Sequence, residues 1–155
     1  MSGIEIRPAT LDDVEILVTL RLEMRRERET VKLALPENEF AGLLRDFFTR
    51  TLENGRFVSF IAWDGETAAA CSGLSLIELP PSYGDLPGKK GYVTNMYTRV
   101  AYRKQGIAGK LLDALREYAV NAGCSKLELN ASSAGYGVYK KYGFHDVTNE
   151  MEMKI

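Results

Sequence analysis

A chain of 155 residues, 45% hydrophobic and 26% charged, is long enough to bury one sizeable core without disulfide or metal staples. Its 20 basic and 21 acidic residues leave a net charge of −1, which argues against a protein that coats nucleic acid or an anionic membrane. The single histidine, His145, argues against a histidine-built metal site or a Ser-His-Asp triad. Cys71 and Cys124 are far apart, lack metal-type spacing and read as free thiols of a reducing compartment. No basic leader followed by an apolar block opens the chain, and no apolar run approaches the roughly 20 residues of a membrane span. The expected location is therefore the cytoplasm, with no membrane partner.

In chain order, "IEIRPAT" alternates from Ile4 and stops at Pro8, which predicts a first strand. Thr10, with Asp13 three residues on, starts a helix over Leu11–Arg28 with apolar positions at Leu11, Val14, Leu17, Val18 and Leu22. Pro36 opens a second helix that Asn54-Gly55 ends. "RFVSFIAWDGETAAACSGLSLIELP" reads as two β runs joined at Asp64-Gly65, and "PPSYGDLPGKKG" as a loop. "YVTNMYTRV" is again strand-like, Gln105 to Ala122 is helical, and Gly123 stops that helix. A strand "SKLELNAS", a short helix "AGYGVYKKYGF" and a final strand "HDVTNEMEMKI" complete the prediction. There is no repeat, low-complexity tract or linker, so residues 1–155 are expected to form one α+β domain.

One stretch joins charge to bare backbone. In "YRKQGIAGKL", Arg103, Lys104 and Gln105 precede Gly106, Ala108 and Gly109, where a helical pattern begins. A helix start exposes unpaired N–H groups and the positive end of the macrodipole. Small residues there let a bulky anion approach, and Arg103, Lys104, Gln105 and Lys110 add donors. The same residues also suit a plain turn beside a solvated basic helix end. The spacing is not that of a nucleotide P-loop, and G-x-G-x-x-G is missing.

"NMYTRVAYRKQGIAGKLLDAL" resembles the acetyl-CoA signature of the GNAT superfamily of N-acetyltransferases, R/Q-x-x-G-x-G/A after a strand and before a long helix. "LELNASSAGYGVYKKYGF" is similar to the family's strand, short helix and tyrosine before G-F. The resemblance implies a mostly antiparallel mixed sheet flanked by helices, the acyl-CoA N-acyltransferase fold, with acetyl-CoA as co-substrate. It implies that the backbone of Met96, Tyr97 and Thr98 meets the pantetheine arm. Arg103, Lys104, Gln105, Gly106, Ile107, Ala108 and Gly109, with Lys110 nearby, would hold the pyrophosphate. The thioester would lie between two parted strands, with Leu129 to Ser132 as the second wall. Tyr139, four residues before Gly143, would protonate the departing thiolate, a transfer between groups of pKa near 10 and near 8.5.

Two departures from the pattern stand out. Ser132 occupies the place of a frequent pantetheine-binding asparagine, with Asn130 two residues earlier as a substitute. "YVTNMYT" lacks the acid that often serves as general base. By position Glu78 is the best replacement, with Asp85 behind it, though each also reads as a plain surface or loop charge; a water held by backbone carbonyls and Asn95 is the other route. The acceptor, a small-molecule amine or a peptide, is expected to meet the first helices and the Pro/Gly loop, where Tyr83, Asp85, Lys89 and Lys90 close over it. In "RLEMRRERE", Glu23, Glu27 and Glu29 alternate with Arg21, Arg25, Arg26 and Arg28. They form either a solvated charge lattice, or a glutamate for a cationic amine, or an arginine for an acceptor carboxylate. Neither cysteine has an activated setting, so direct attack by the amine is expected, with no metal and no nucleic-acid partner. The alternative is a CoA-binding sensor of the same fold without turnover. Members of the family often pair as homodimers.

Overall fold

The computed structural model describes residues 3–28 and 35–155. Strand β1 (Ile4–Pro8) leads through one 3-10 turn into α1 (Val14–Arg28), and α2 (Glu37–Asn54) follows. Then come β2 (Phe57–Val58), β3 (Phe60–Asp64), β4 (Thr67–Glu78) and β5 (Lys89–Thr98). The chain ends with α3 (Ile107–Asn121), β6 (Lys126–Glu128), α4 (Tyr136–Tyr142) and an irregular tail.

Local chemistry sets these boundaries. Thr10 and Asp13 form the expected reciprocal cap, the Thr10 N–H donating to Asp13 Oδ2 at 2.8 Å. Gly55, at φ 76°, ends α2 in the left-handed conformation that glycine adopts without a Cβ penalty. The predicted β hairpin closes with Asp64 opposite Thr67. Its first run splits into two strands at Ser59, whose buried hydroxyl donates to the Ser72 carbonyl at 2.6 Å.

The sheet order is β1-β3-β4-β5-β6, with β2 also pairing with β4. All pairs are antiparallel except β5–β6. One face packs on α1 and α2, where Leu17, Leu20 and Phe48 meet Phe57, Ile61 and Cys71. The opposite face packs on α3, where Leu111 meets Ala62 and Ala70, and Leu112 and Leu115 meet Leu74 and Val93. Period-2 alternation along β3–β5 therefore feeds two cores, one on each side of the sheet.

The last predicted strand does not form. Residues 145–155 are irregular, and Val147, Met151, Met153 and Ile155 point their alternating apolar side chains into solvent. Alternation specifies a strand only where an edge supplies partners, and β6 has only three paired residues instead of the predicted eight. An open cleft of about 970 Å³ separates the tail from α3, β6 and α4. It is larger than the cavity described next, but lies away from the glycine-rich helix start.

Candidate active site

β5 and β6 are paired only at Lys90–Lys126, Gly91–Leu127 and Tyr92–Glu128. β5 then runs on from Val93 to Thr98 with its β6-side edge open, so the two strands part. A cavity of about 220 Å³ lies in this gap. Thr94, Asn95 and Met96 line one wall, Leu129, Asn130, Ser132 and Tyr139 another, and α1 contributes Arg21, Met24 and Arg28.

Asn95 sits at the bend of β5. Its φ of 57° is left-handed for a residue with a side chain, and the β4–β5 register shifts opposite it between Cys71 and Gly73. A Cβ on Gly73 would lie 2.6 Å from the Phe57 ring and 3.1 Å from the Asn95 Cβ, so only glycine fits across the bulge. Asn95 is 6% exposed. Its amide nitrogen lies 3.8 Å from Cys71 Sγ, and its Oδ1 has no hydrogen-bond partner among the described residues. A buried acceptor without a donor is costly, and such atoms cluster where water or substrate completes the set. Cys71 is itself fully buried, which pushes its thiol up to about 12 and leaves it unsuited to nucleophilic attack.

Tyr139 reaches the gap from α4. Gly135, one turn earlier, lies under its ring: a Cβ there would come 2.8 Å from Tyr139 Cε2 and 3.3 Å from Ser132 Oγ. Phe144 braces the ring edge-on at 5.8 Å between centroids. Burial raises the phenol above its usual pKa, and the positive field of Arg28 works against that rise. The other two tyrosines of α4 are committed elsewhere, Tyr136 to Asp146 at 2.8 Å and Tyr142 to Asp113 at 2.6 Å.

At the end of β5 the chain makes a 3-10 turn over Val100–Tyr102, passes through Lys104 at φ 61° and Gly106 at φ 77°, and enters α3. No side chain caps this helix, so the N–H groups of its first turn stay available. A Cβ at Gly106 or Gly109 would meet nothing within 4 Å, so the helix start is open to solvent. Ile107 and Leu111 are buried and anchor α3 to the sheet, while Lys104, Gln105 and Lys110 are exposed around the opening.

Arg103 does not point into the opening. Its Nε donates to the Thr98 carbonyl at 2.8 Å and its Nη2 to Glu27 at 2.5 Å. Glu27 also accepts from the Tyr97 hydroxyl at 3.0 Å, and the Arg103 hydrogen bond is the main reason its carboxyl sits below the usual range. Arg99 is held in the same way by Glu23, at 2.9 and 2.6 Å, and also donates to the Ala68 carbonyl. Glu23 and Glu27 of α1 thus cross-link the helix to the segment that follows β5, across 76 residues of sequence. Sequence spacing held no sign of it. Glu29 lies outside the described residues.

Glu78 is not brought to the gap. It ends β4 opposite Lys89, exposed, six residues along the strand from Ser72 and so roughly 20 Å from the Asn95 bulge at ~3.3 Å per residue. The loop with Tyr83 and Asp85 shares that far end, Asp85 accepting from the Gly88 N–H in a turn, and Lys90 is paired with Glu128 at 2.8 Å. These residues therefore do not close over the gap. The reason is strand length: β4 and β5 are long enough to separate their shared turn from the bulge.

The acetyltransferase (GNAT) family model matches residues 19–144. A predicted acetyltransferase from Clostridium acetobutylicum, solved with acetyl-CoA, is 33% identical with a TM-score of 0.89, covering 97% of this chain and 96% of that one. A GCN5-related N-acetyltransferase from Ralstonia eutropha is 29% identical with a TM-score of 0.85, covering 99% of both chains. Thialysine N-epsilon-acetyltransferase from Bos taurus is 33% identical over 70 residues, a match spanning 43% of this chain and 41% of that relative. With the family model spanning most of its length and the parted strands beside an uncapped glycine-lined helix, this chain belongs to the GNAT acetyltransferase family.

Proposed function

We propose that the protein moves the acetyl group of acetyl-CoA to the primary amine of a small acceptor by direct attack. The diphosphate rests on the N–H groups of Gly106–Gly109, with Lys104, Gln105 and Lys110 around it. The pantetheine arm runs along the open edge of β5 beside Met96, Tyr97 and Thr98, with Asn130 and Ser132 across the gap. The thioester carbonyl then lies between the bulge and Tyr139.

The amine nitrogen forms a bond to the carbonyl carbon, and the carbon–sulfur bond breaks. Tyr139 gives its proton to the leaving thiolate. The proton lost by the amine passes to a water that donates to Asn95 Oδ1, since none of the described residues lining the cavity is a carboxylate. The supporting observation is the β5–β6 ladder stopping at Tyr92–Glu128, which leaves the β5 edge from Val93 to Thr98 open on the way to an uncapped helix start. The lack of a carboxylate among the described residues lining the gap favours a second reading, a CoA-binding sensor without turnover. Calorimetric titration with acetyl-CoA followed by a screen of amines for CoA release separates them. Binding with release supports the transferase, binding without release the sensor, and no binding rejects both.

A further inference from the structure

The charge inside the gap is one-sided. α1 presents Arg21, Met24 and Arg28 to it from one face, at spacings of three and four residues, and none of the described residues lining the cavity is acidic. The glutamates of the same helix are spent elsewhere, Glu23 on Arg99 and Glu27 on Arg103 and Tyr97. Arg26 is matched by Glu37, at 2.9 and 2.6 Å. Arg28 is held differently. Its Nη1 donates one long hydrogen bond to the Met96 carbonyl at 3.3 Å, and its guanidinium lies 5.6 Å from the centre of the Tyr97 ring. It forms no ion pair with a carboxylate among the described residues.

We propose that the acceptor is an amine that also carries an anionic group, a carboxylate or a phosphate monoester, and that Arg28 grips that group. This rests on the transferase reading above and narrows its substrate class. A guanidinium presents a planar fork of donors that matches either anion in two parallel hydrogen bonds, far stronger than its present contact with a neutral carbonyl. A polycation in the same place would set a second ammonium against Arg28, with no acid among the described residues lining the cavity to offset it. Turning toward the acceptor also releases the Met96 carbonyl on the open edge of β5. The amine to be acetylated is then held at the end of the molecule away from the anion, facing the bulge.

The test compares kcat/KM for matched amines: lysine and shorter amino acids against their decarboxylated counterparts, and phosphoethanolamine against ethanolamine. The anionic member of one series is expected to be favoured by about 10- to 100-fold, the weight of a charge-assisted hydrogen-bond pair. The series showing the preference identifies carboxylate or phosphate as the source. Arg28→Gln should bring that ratio to near one with acetyl-CoA affinity retained, and Arg28→Lys should restore part of it. A wild-type preference for the decarboxylated amines overturns the inference. So does an Arg28→Gln variant that slows both members of a pair equally, because Arg28 then serves the cofactor. If acetyl-CoA binds but no amine is turned over, the transferase reading falls. Calorimetry with the anionic amines then decides this inference alone: binding that Arg28→Gln abolishes upholds it, and no binding rejects it.

Discussion

Replacing Tyr139 with phenylalanine removes one oxygen from a ring whose packing is otherwise complete. Phe144 still braces the edge at 5.8 Å, and Gly135 still leaves room beneath. The hydroxyl has no hydrogen-bond partner among the described residues, so its loss orphans no other group. The folded state should therefore change by less than about 0.5 kcal/mol, a shift in Tm of no more than about 2 °C for a chain of this size. Catalysis should respond quite differently, because a positioned general acid is worth about 10²- to 10⁴-fold. The expected result is a fall in kcat of at least about 100-fold, with acetyl-CoA affinity within about twofold of wild type by calorimetry. Burial raises the phenol, so it stays protonated through neutral and mildly alkaline pH, and any loss of kcat from its ionisation should appear only above pH ~10. An unchanged kcat in Tyr139→Phe would refute the acid role, and a drop in affinity matching the drop in rate would make the ring a binding surface instead.

Gly135→Ala should push the Tyr139 ring aside and lower kcat by about tenfold, whereas Gly137→Ala, on the same helix with open space around it, should leave kcat unchanged and raise stability by ~0.5 kcal/mol. Gly109→Leu places a side chain over the first turn of α3 where nothing now stands, and should weaken acetyl-CoA binding at least about tenfold in calorimetry with no loss of Tm. Glu27→Gln should cost ~0.2–1 kcal/mol at pH 7 in urea unfolding, since the pair with Arg103 is about one-third exposed on each side. Its carboxyl is depressed in the folded state, so its contribution is fully present above the ordinary carboxylate pKa of ~4.3 and is lost as pH falls through the lowered value; the difference between wild type and Glu27→Gln should vanish in strong acid.

Local signals in the sequence were read correctly where the chain's neighbours decide the outcome. The Thr10–Asp13 cap, the Asp64-Gly65 hairpin, the Gly55 helix stop and the glycines at the start of α3 all act within a few residues, and each appears in the structure. Long-range partners were not legible. Nothing in "RLEMRRERE" says that Glu23 and Glu27 reach Arg99 and Arg103: helix spacing offers Glu23 the nearer Arg26 and leaves Glu27 with no arginine three or four residues away. Glu78 suits the role of base only by its order in the chain, and order does not measure the length of the β4–β5 ladder. The final strand failed for a related reason: alternation in "HDVTNEMEMKI" shows which side chains would share a face, but not whether a free edge exists to receive them.

The same cross-links bear on how cofactor and acceptor come to share one gap. Arg103 ties the Thr98 carbonyl to Glu27, and Arg28, the next residue of α1, donates to the Met96 carbonyl. Both carbonyls belong to the stretch of β5 proposed to lie along the pantetheine arm. The end of α1 thus already touches that stretch before any acceptor arrives. The two contacts differ in strength: Arg103 is fixed by a charged partner at 2.5 Å, whereas Arg28 donates at 3.3 Å to a neutral oxygen and lies 5.6 Å from the centre of the Tyr97 ring. Of the two, Arg28 can leave β5 at the lower cost, which two charge-assisted hydrogen bonds to an anion would offset. A rigid tie and a loose one, side by side, let α1 hold the end of β5 in place while Arg28 remains available to the anionic acceptor proposed above.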